Sequence, residues 1–230
     1  MESEATTKPA AAATRPAGVY EALRGDLARG RFAPGGRLAP KALAARYDCT
    51  PGVAREALIR LAAEGFVDSA AQRGFRAVRP TPASVWEIAH FRILIETEGA
   101  RLSILHGDMA WEANLTGAHS RLTHMERRLR GRAPAGEDRR LWSAYDRAFH
   151  EALIEACGST LLRARHHEIY DRFKQHVIAQ DPTLGFRGEA LVREHTDILD
   201  AALARDPVAC AAALQRHFEI YRRFSDQPMR

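Results

Sequence analysis

The stretch PKALAARYDCTPGVAREALIRLAAEGFVDSAAQRGFRAV, residues 40–78, decides the fold of the first part of the chain. Its spacing predicts a short helix over 40–47, a tight turn over 48–52, a longer helix over 53–64 and two short strands that flank Gly74. This is the element order of a winged helix-turn-helix, in which the second helix enters the DNA major groove. The stretch therefore predicts a DNA-reading head.

The charge distribution of the chain agrees with that prediction. Residues 1–80 contain 13 Lys and Arg against 8 Asp and Glu, a net charge of +5, whereas residues 81–230 contain 21 of each. Neutralisation of phosphates by Lys and Arg supplies most of the non-specific affinity for DNA. The whole excess of positive charge thus lies on the predicted head, and double-stranded DNA is its predicted partner.

Length and composition exclude several classes of protein. A chain of 230 residues allows one large or two small domains. The three cysteines, Cys49, Cys157 and Cys210, are odd in number and lack motif spacing, which argues against a disulfide framework and favours a reducing cytoplasm. The sequence has no apolar run long enough to span a membrane and no apolar core of a signal peptide, so a cytoplasmic location is expected.

The rest of the chain is organised as helices. Residues 1–14, rich in Ala and Thr, predict a disordered tail, and the head is expected over 15–79. Two prolines within RPTP (79–82) predict a linker at 80–83. Beyond the linker, residues 84–225 predict a helical bundle with no strand, which makes the protein mainly α. Its six helices are predicted over 84–106, 108–130, 137–156, 158–178, 189–204 and from Pro207 onward.

Several motifs identify a family. The first part of the chain has GRFAPGGRL at 30–38, REALIRLAAEGFV at 55–67 and Gly74. The second part has Arg92 and Glu96 four apart, FHEAL at 149–153, EHTDILDA at 194–201 and a final His217. Over about residues 17–225 the chain resembles the GntR family of bacterial transcription regulators, in particular the FadR-type subgroup with a helical FCD effector domain. The second part has six predicted helices rather than seven, which resembles the shorter VanR-type version of the FCD domain.

The resemblance implies a set of DNA-reading residues. A residue near the start of the second helix, such as Arg55, can form a bidentate contact with guanine, and a glycine lets the backbone approach the groove. The alternative for Arg55 is an ion pair with Glu56 or Asp48. The positions implied are Lys41 for a phosphate, Thr50, Pro51, Gly52 and Arg55 at the start of the recognition helix, and Arg73 with Gly74 at the tip of the wing.

One position departs from the family pattern. Relatives usually have S-R-T-P-V before REAL, whereas this chain has TPGVA at 50–54, so that Pro51 stands where the arginine is expected. Relatives often read a TNGT–ACNA palindrome partly through that arginine. The departure predicts an operator that deviates from this consensus, or compensation by Arg46 or Arg60.

A set of metal ligands follows from spacing and resemblance together. Asp146 and His150 are four apart and share a helix face, whereas His195 and His217 lie on the last two helices. In the related domains an Asp and three His hold a divalent metal ion, so the resemblance implies that these four residues do so here. Such donors suit zinc first, and also nickel, manganese or iron. The other seven His are expected mostly at the surface, and Glu96 and Glu194 are expected to be partners of the ligands.

The predicted function is a metabolite-responsive regulator. The resemblance implies a homodimer on a palindromic operator, a repressor by default, and a small organic acid as effector, with Arg92 as the clamp for its carboxylate. Two alternatives remain open: a regulator whose metal is purely structural and which has no effector, and a metal-dependent hydrolase. No nucleophile or second base is fixed by spacing, so an enzyme is not expected.

Overall fold

The computed structural model describes residues 16–70, 74–129, 132–181, 183–184 and 186–226. The tail predicted over 1–14 and the wing-tip residue Arg73 lie outside the described residues. The described chain forms two compact units: one extends to Leu27 and continues at Gly35–Val78, and the other comprises Ala28–Pro34 and the chain from Arg79 onward.

The first unit combines helices with a small antiparallel sheet. Its strand order is β1-β3-β2, with Leu38 paired to Phe75 and Val67 paired to Ala77. Strand β1, which is two residues long, was missed by the sequence pattern because so short a run has no period. The elements are α1 (Pro16–Ala28), β1 (Arg37–Leu38), α2 (Pro40–Arg46), α3 (Pro51–Ala63), β2 (Val67–Ala70) and β3 (Gly74–Ala77).

Helix α3 begins two residues earlier than the sequence predicts. Thr50 is its N-cap, and the Thr50 hydroxyl oxygen accepts a hydrogen bond of 3.3 Å from the Val53 amide. Pro51 is the first helical residue, a position where its missing N–H costs nothing and its fixed φ favours the helix. The predicted turn over 48–52 is therefore wrong at its end, because Pro51 starts the helix instead of preceding it.

Helix α3 has one face in the core and one face outside. Leu58 and Leu61 are fully buried, whereas Arg55, Glu56 and Ile59 are exposed. The apolar face packs against α2 and β2. This arrangement leaves the N-terminal turn and the polar face of α3 accessible, as a recognition helix requires.

The described residues of the second unit form helices and no strand, which confirms the predicted fold class. Helix α4 packs along α7 and α9, and α5 packs along α6 and α8. The six helices are α4 (Pro82–His106), α5 (Met109–Arg128), α6 (Gly136–Leu153), α7 (Thr160–Gln180), α8 (Glu189–Leu203) and α9 (Pro207–Ser225). Within the described part of the chain, no helix is long and apolar enough to cross a membrane.

Helix α4 also begins earlier than predicted. Thr81 is its N-cap and forms a capping box with Ser84, in which each side chain accepts a hydrogen bond from the other's backbone amide. Pro82 occupies the first turn, so the residues predicted as the end of the linker are helical. The helix start predicted at Ser84 is therefore corrected to Pro82, since a proline at a helix start is favourable rather than disruptive.

The core of the second unit contains charged and polar side chains beside its apolar ones. Arg92 and Glu96 on α4 are 1% and 0% exposed, and Asp146 on α6 is 5% exposed. Burying a charge is costly unless it is paired or binds a metal ion. These residues, together with buried histidines, therefore mark the part of the bundle where function is expected.

Two helical glycines allow a matched test of packing in this bundle. A Cβ at Gly99 of α4 would lie 2.7 Å from Ile154 Cγ2 and 3.0 Å from Leu162 Cδ2, whereas one at Gly117 of α5 would meet only the end of the Arg121 side chain at 3.5 Å. Gly99→Ala is expected to destabilise by about 1–2 kcal/mol, because the overlap outweighs the gain in helix propensity. Gly117→Ala is expected to stabilise by about 0.5–1 kcal/mol. Urea unfolding followed by circular dichroism measures both, and equal midpoints would contradict the packing of α4.

Candidate metal centre and DNA-reading face

Three buried histidines from three different helices meet in the second unit. His150 on α6, His195 on α8 and His217 on α9 each offer a ring nitrogen, and these nitrogens lie within 4.8 Å of one another. The residues are 0%, 0% and 5% exposed. The structure therefore brings together the three histidines that the sequence singled out, although His150 and His217 are 67 positions apart in the chain.

Each of these rings is oriented by a carboxylate on another helix. Ionised carboxylates only accept hydrogen bonds, so the Nδ1 that faces one carries the proton and Nε2 keeps its lone pair. This is the arrangement that positions metal-binding histidines in known metal sites. His150 Nδ1 lies 2.8 Å from Glu96 Oε2, His195 Nδ1 lies 3.1 and 3.4 Å from the two oxygens of Glu126, and His217 Nδ1 lies 3.1 Å from Glu194 Oε2.

Asp146 completes the set that the sequence predicted. Its Oδ1 lies 3.8 Å from His150 Nε2 and 3.6 Å from His195 Nε2. Both Nε2 atoms are buried and have no hydrogen-bond partner among the described residues. Asp146 Oδ2 is held by the Tyr170 hydroxyl at 2.5 Å and by Lys174 Nζ at 3.0 Å. Oδ1 is thus directed at two unpartnered lone pairs, as it would be around a shared cation.

The protonation states of these groups suit cation binding. Burial would raise the pKa of Asp146, but the charges of Lys174 and the neighbouring imidazoles hold it well below its usual value. Burial lowers the pKa of His150, and burial with repulsion from the other two imidazoles lowers that of His217 well below its usual value. At neutral pH Asp146 therefore offers an anionic oxygen, and His150 and His217 offer neutral imidazoles, the forms in which these groups bind metals.

Arg92 is paired with Glu96 inside the bundle, a contact that the sequence did not predict. Its Nε donates a hydrogen bond of 2.7 Å to Glu96 Oε1, and Nη2 lies 2.5 Å from the same oxygen. The guanidinium is also 4.7 Å from each of the ring centroids of Tyr170, Phe173 and Phe218. Nη2 makes no hydrogen bond among the described residues, so the role of Arg92 as a clamp for an effector stays a prediction.

His166 and His176 are the exceptions to the prediction that the remaining histidines lie mostly at the surface. They are 0% and 4% exposed. His166 Nε2 lies 3.0 Å from Glu96 Oε1, so Glu96 serves two imidazoles and one guanidinium. The R-x-x-x-E pair on α4 is the one sequence signal for this arrangement. It does not indicate which helix faces the pair.

The predicted DNA-reading residues that the structure describes are all exposed on the first unit. Lys41 is exposed at the start of α2, and Gly74 is exposed at the start of β3 with φ +71°, a backbone conformation that favours glycine. Arg55 packs over the Phe75 ring at 5.9 Å and makes no ion pair with Glu56 or Asp48. The residues at the start of α3, namely Thr50, Pro51 and Gly52, are exposed as well.

The two arginines proposed to compensate for Pro51 have partners within the first unit. Arg46 Nη2 lies 3.0 Å from Asp26 Oδ2, to which the Tyr47 hydroxyl also donates a hydrogen bond. Arg60 packs over the Tyr20 ring at 4.0 Å. Of the two predictions for the operator, these contacts favour a deviation from the consensus over compensation.

Two family models together match most of the chain. Residues 16–76 match the model described as bacterial regulatory proteins, gntR family, and residues 87–220 match the FCD domain. The two matches fall on the winged head and on the helical bundle respectively.

Individual relatives agree with these matches. The uncharacterised HTH-type transcriptional regulator BphR of Paraburkholderia xenovorans is 34% identical over 203 residues, which cover 87% of this chain and 80% of BphR. The HTH-type transcriptional repressor GlaR of Escherichia coli is 27% identical over 86% of this chain and 90% of its own. Escherichia coli McbR/YncC shares the fold with a TM-score of 0.72 at 19% identity, over 91% of this chain and 98% of its own. The chain is a transcriptional regulator of the GntR family, with an FCD domain that follows its DNA-binding head in the sequence.

Proposed function

We propose that this regulator is a repressor whose operator binding is controlled by a small organic acid at a metal centre in the FCD domain. It acts as a homodimer on a palindromic operator, so that two reading heads meet two half-sites. A regulator of this kind works where the chromosome is, so its proposed location is the cytoplasm. The repressor role rests on the naming of relatives such as GlaR.

The metal centre is supported by one observation above all. Two buried Nε2 atoms, on His150 and His195, have no hydrogen-bond partner among the described residues and lie 3.8 and 3.6 Å from the same Asp146 oxygen. Unpartnered buried acceptors are costly, and a divalent cation would satisfy them all. In this proposal His150, His195, His217 and Asp146 hold zinc, or nickel, manganese or iron in its place. When bound, the ion supplies a positive charge that attracts a carboxylate.

The proposed effector follows from the charges around the four ligands. Arg92 pairs with Glu96 and Lys174 pairs with Asp146, and these are the two buried cations that we assign to the effector site. Lys174 Nζ lies 4.4 Å from the Trp142 ring centroid, in a partly apolar environment. One divalent ion, Asp146 and Lys174 together have a formal charge of +2, which favours an organic acid. The acid changes operator affinity only if it binds the two arrangements of the heads differently.

Titration with metal and acid tests the control mechanism. Operators are first selected from random DNA, and the affinity of the full-length protein is then measured by fluorescence anisotropy with zinc, with EDTA, and with a panel of small organic acids. The proposal predicts that at least one acid weakens operator binding about tenfold in the zinc form and not after chelation. If chelation lowers thermal stability while no acid affects DNA binding, the metal is purely structural and the effector proposal is wrong.

Arg55 carries the most specific prediction for DNA. Arg55→Ala is expected to weaken operator binding by about 1–3 kcal/mol, roughly 10- to 100-fold, and to relax selectivity at one base pair of each half-site. Arg223→Ala removes an equally exposed arginine from α9 and is the matched control, with an expected change of less than about twofold. Equal weakening by both variants would mean that Arg55 contributes only general charge.

A further inference from the structure

A cavity of about 430 Å³ lies beside the His166 side chain. It is bounded by α5, α6 and α7, and we call it the α5–α7 cavity. Its apolar wall is formed by Ala118, Ala148, Ala152 and Ile154. Its volume falls in the range of small-molecule sites, which combine such a wall with a few polar groups. None of the four proposed metal ligands lines it.

One of the polar groups in this cavity is a buried nitrogen without a partner. His166 lines the cavity and is 0% exposed, and its Nε2 lies 3.0 Å from Glu96 Oε1. The same Glu96 oxygen accepts a hydrogen bond of 2.7 Å from Arg92 Nε, so it is the acceptor toward His166 as well. Nε2 therefore carries the proton, which leaves Nδ1 as an acceptor that no described residue satisfies. A ligand that donates a hydrogen bond would satisfy it.

Charged groups of both signs surround that lone pair. Arg121 on α5 and Arg163 on α7 line the cavity and form no ion pair among the described residues. Glu155, which follows the end of α6, lines it too, and its described partner is the neutral amide of Asn114 rather than a cation. The two guanidinium groups suit a carboxylate, whereas Glu155 and His166 Nδ1 suit a cationic donor.

We propose that the α5–α7 cavity is a second effector site, for a small zwitterion that carries both a carboxylate and an ammonium group, such as a free amino acid. The carboxylate binds Arg121 and Arg163. The ammonium group donates to Glu155 and to His166 Nδ1. A simple acid would leave the two acceptors unsatisfied, and a simple amine would leave the two arginines without an anion.

The same cavity is connected to the proposed metal centre through two hydrogen bonds. Glu96 Oε1 accepts from His166 at 3.0 Å, and Glu96 Oε2 accepts from His150 Nδ1 at 2.8 Å. A donor bound to His166 Nδ1 polarises the ring and strengthens its bond to Glu96, which weakens the bond from Glu96 to His150. Because such outer partners tune metal ligands, the zwitterion lowers the affinity for zinc, and zinc lowers the affinity for the zwitterion by the same factor. This connection, unlike the site itself, rests on the proposed metal centre.

Calorimetric titration of the full-length protein with each of the twenty L-amino acids tests the site, both with zinc and after EDTA. At least one amino acid is expected to bind in both states, and its 2-hydroxy and unsubstituted acid analogues at least tenfold more weakly. Arg121→Ala and Arg163→Ala should each weaken binding about tenfold, whereas Arg165→Ala, an exposed neighbour paired with Glu168, should not. The site is overturned if no amino acid binds, if the hydroxy acid binds equally well, or if binding survives the arginine variants.

The connection between the α5–α7 cavity and the metal centre is tested separately, by measuring the affinity for zinc. The bound amino acid should lower the affinity for zinc on the order of fivefold in the wild type, and this effect should vanish in His166→Leu. If His166→Leu does not fold, Arg163→Ala tests the same point, because it lowers amino acid binding without touching Glu96. Amino acid binding that has no effect on zinc affinity would overturn the connection and leave the site standing. Failure to bind zinc at all would instead overturn the metal centre of the proposed function.

Discussion

His195→Ala is expected to lower the affinity for zinc by more than the roughly 10- to 100-fold that loss of an outer hydrogen-bond partner causes. His195 Nε2 is one of the two buried, unpartnered nitrogens that face Asp146, and its removal takes away one of three imidazole donors. Competition with a chromophoric chelator measures the affinity, and elemental analysis of the purified protein measures the stoichiometry. An unchanged affinity would show that the cluster is not the zinc site.

Loss of the metal is expected to lower thermal stability as well. A ligand present at a thousand times its Kd stabilises the folded state by about 4 kcal/mol, which for a protein of this size is roughly 10 °C in Tm. EDTA should therefore lower the Tm of the wild type by about this amount, and should have almost no effect on His195→Ala, which has already lost the ion.

The matched control for this variant is His176→Ala. His176 is 4% exposed, like the members of the cluster, but its Nδ1 lies 2.8 Å from the Arg172 carbonyl oxygen of its own helix. Its replacement leaves a cavity and lowers stability, while zinc stoichiometry and the response to EDTA should stay as in the wild type. Equal loss of zinc from both variants would point to general loosening of the bundle instead of a removed ligand.

The order of the elements could be predicted from the sequence, whereas several helix starts could not. Apolar periodicity indicates the helices because each buries one face, and Asp206-Pro207 is a start signal that the structure confirms at α9. Pro51 and Pro82 were interpreted as residues that precede a helix, but each lies in the first turn. The proline alone does not indicate whether it precedes a helix or begins one. In both cases the threonine before it is the N-cap, so the proline is the first helical residue.

The candidate site, like the fold, could be predicted from the sequence in part. Spacing placed Asp146 and His150 on one helix face, and resemblance added His195 and His217. Glu96 was expected to be a partner, but its contacts with His150 and His166 join residues 54 and 70 positions apart, and no local pattern encodes such pairs. The pairing of Arg92 with Glu96 could not be predicted for the same reason: an arginine and a glutamate four apart could both face solvent or face each other, and only packing decides between the two.

The variant Glu96→Gln is expected to destabilise the protein by about 3–5 kcal/mol. The substitution keeps the size of the side chain but leaves the Arg92 guanidinium, 1% exposed, without a counter-charge. Removing one partner of a buried ion pair has this large effect because the remaining charge cannot be solvated. The three aromatic rings around Arg92 supply only about 0.5–2 kcal/mol each in partial compensation. Urea unfolding of the zinc-free protein measures the loss without a contribution from the metal.

A surface pair on the same helix is the matched control. Glu98 and Arg101 form an ion pair at 2.8 Å with side chains that are about half exposed, so Glu98→Gln should change the free energy of unfolding by less than about 1 kcal/mol. The double variant Arg92→Met with Glu96→Gln should recover much of the stability that Glu96→Gln alone loses, because the unpaired charge is gone. If instead Glu96→Gln is as stable as Glu98→Gln, Arg92 does not depend on Glu96. Its guanidinium would then be fully available for the carboxylate of an effector, the role predicted for it from the sequence.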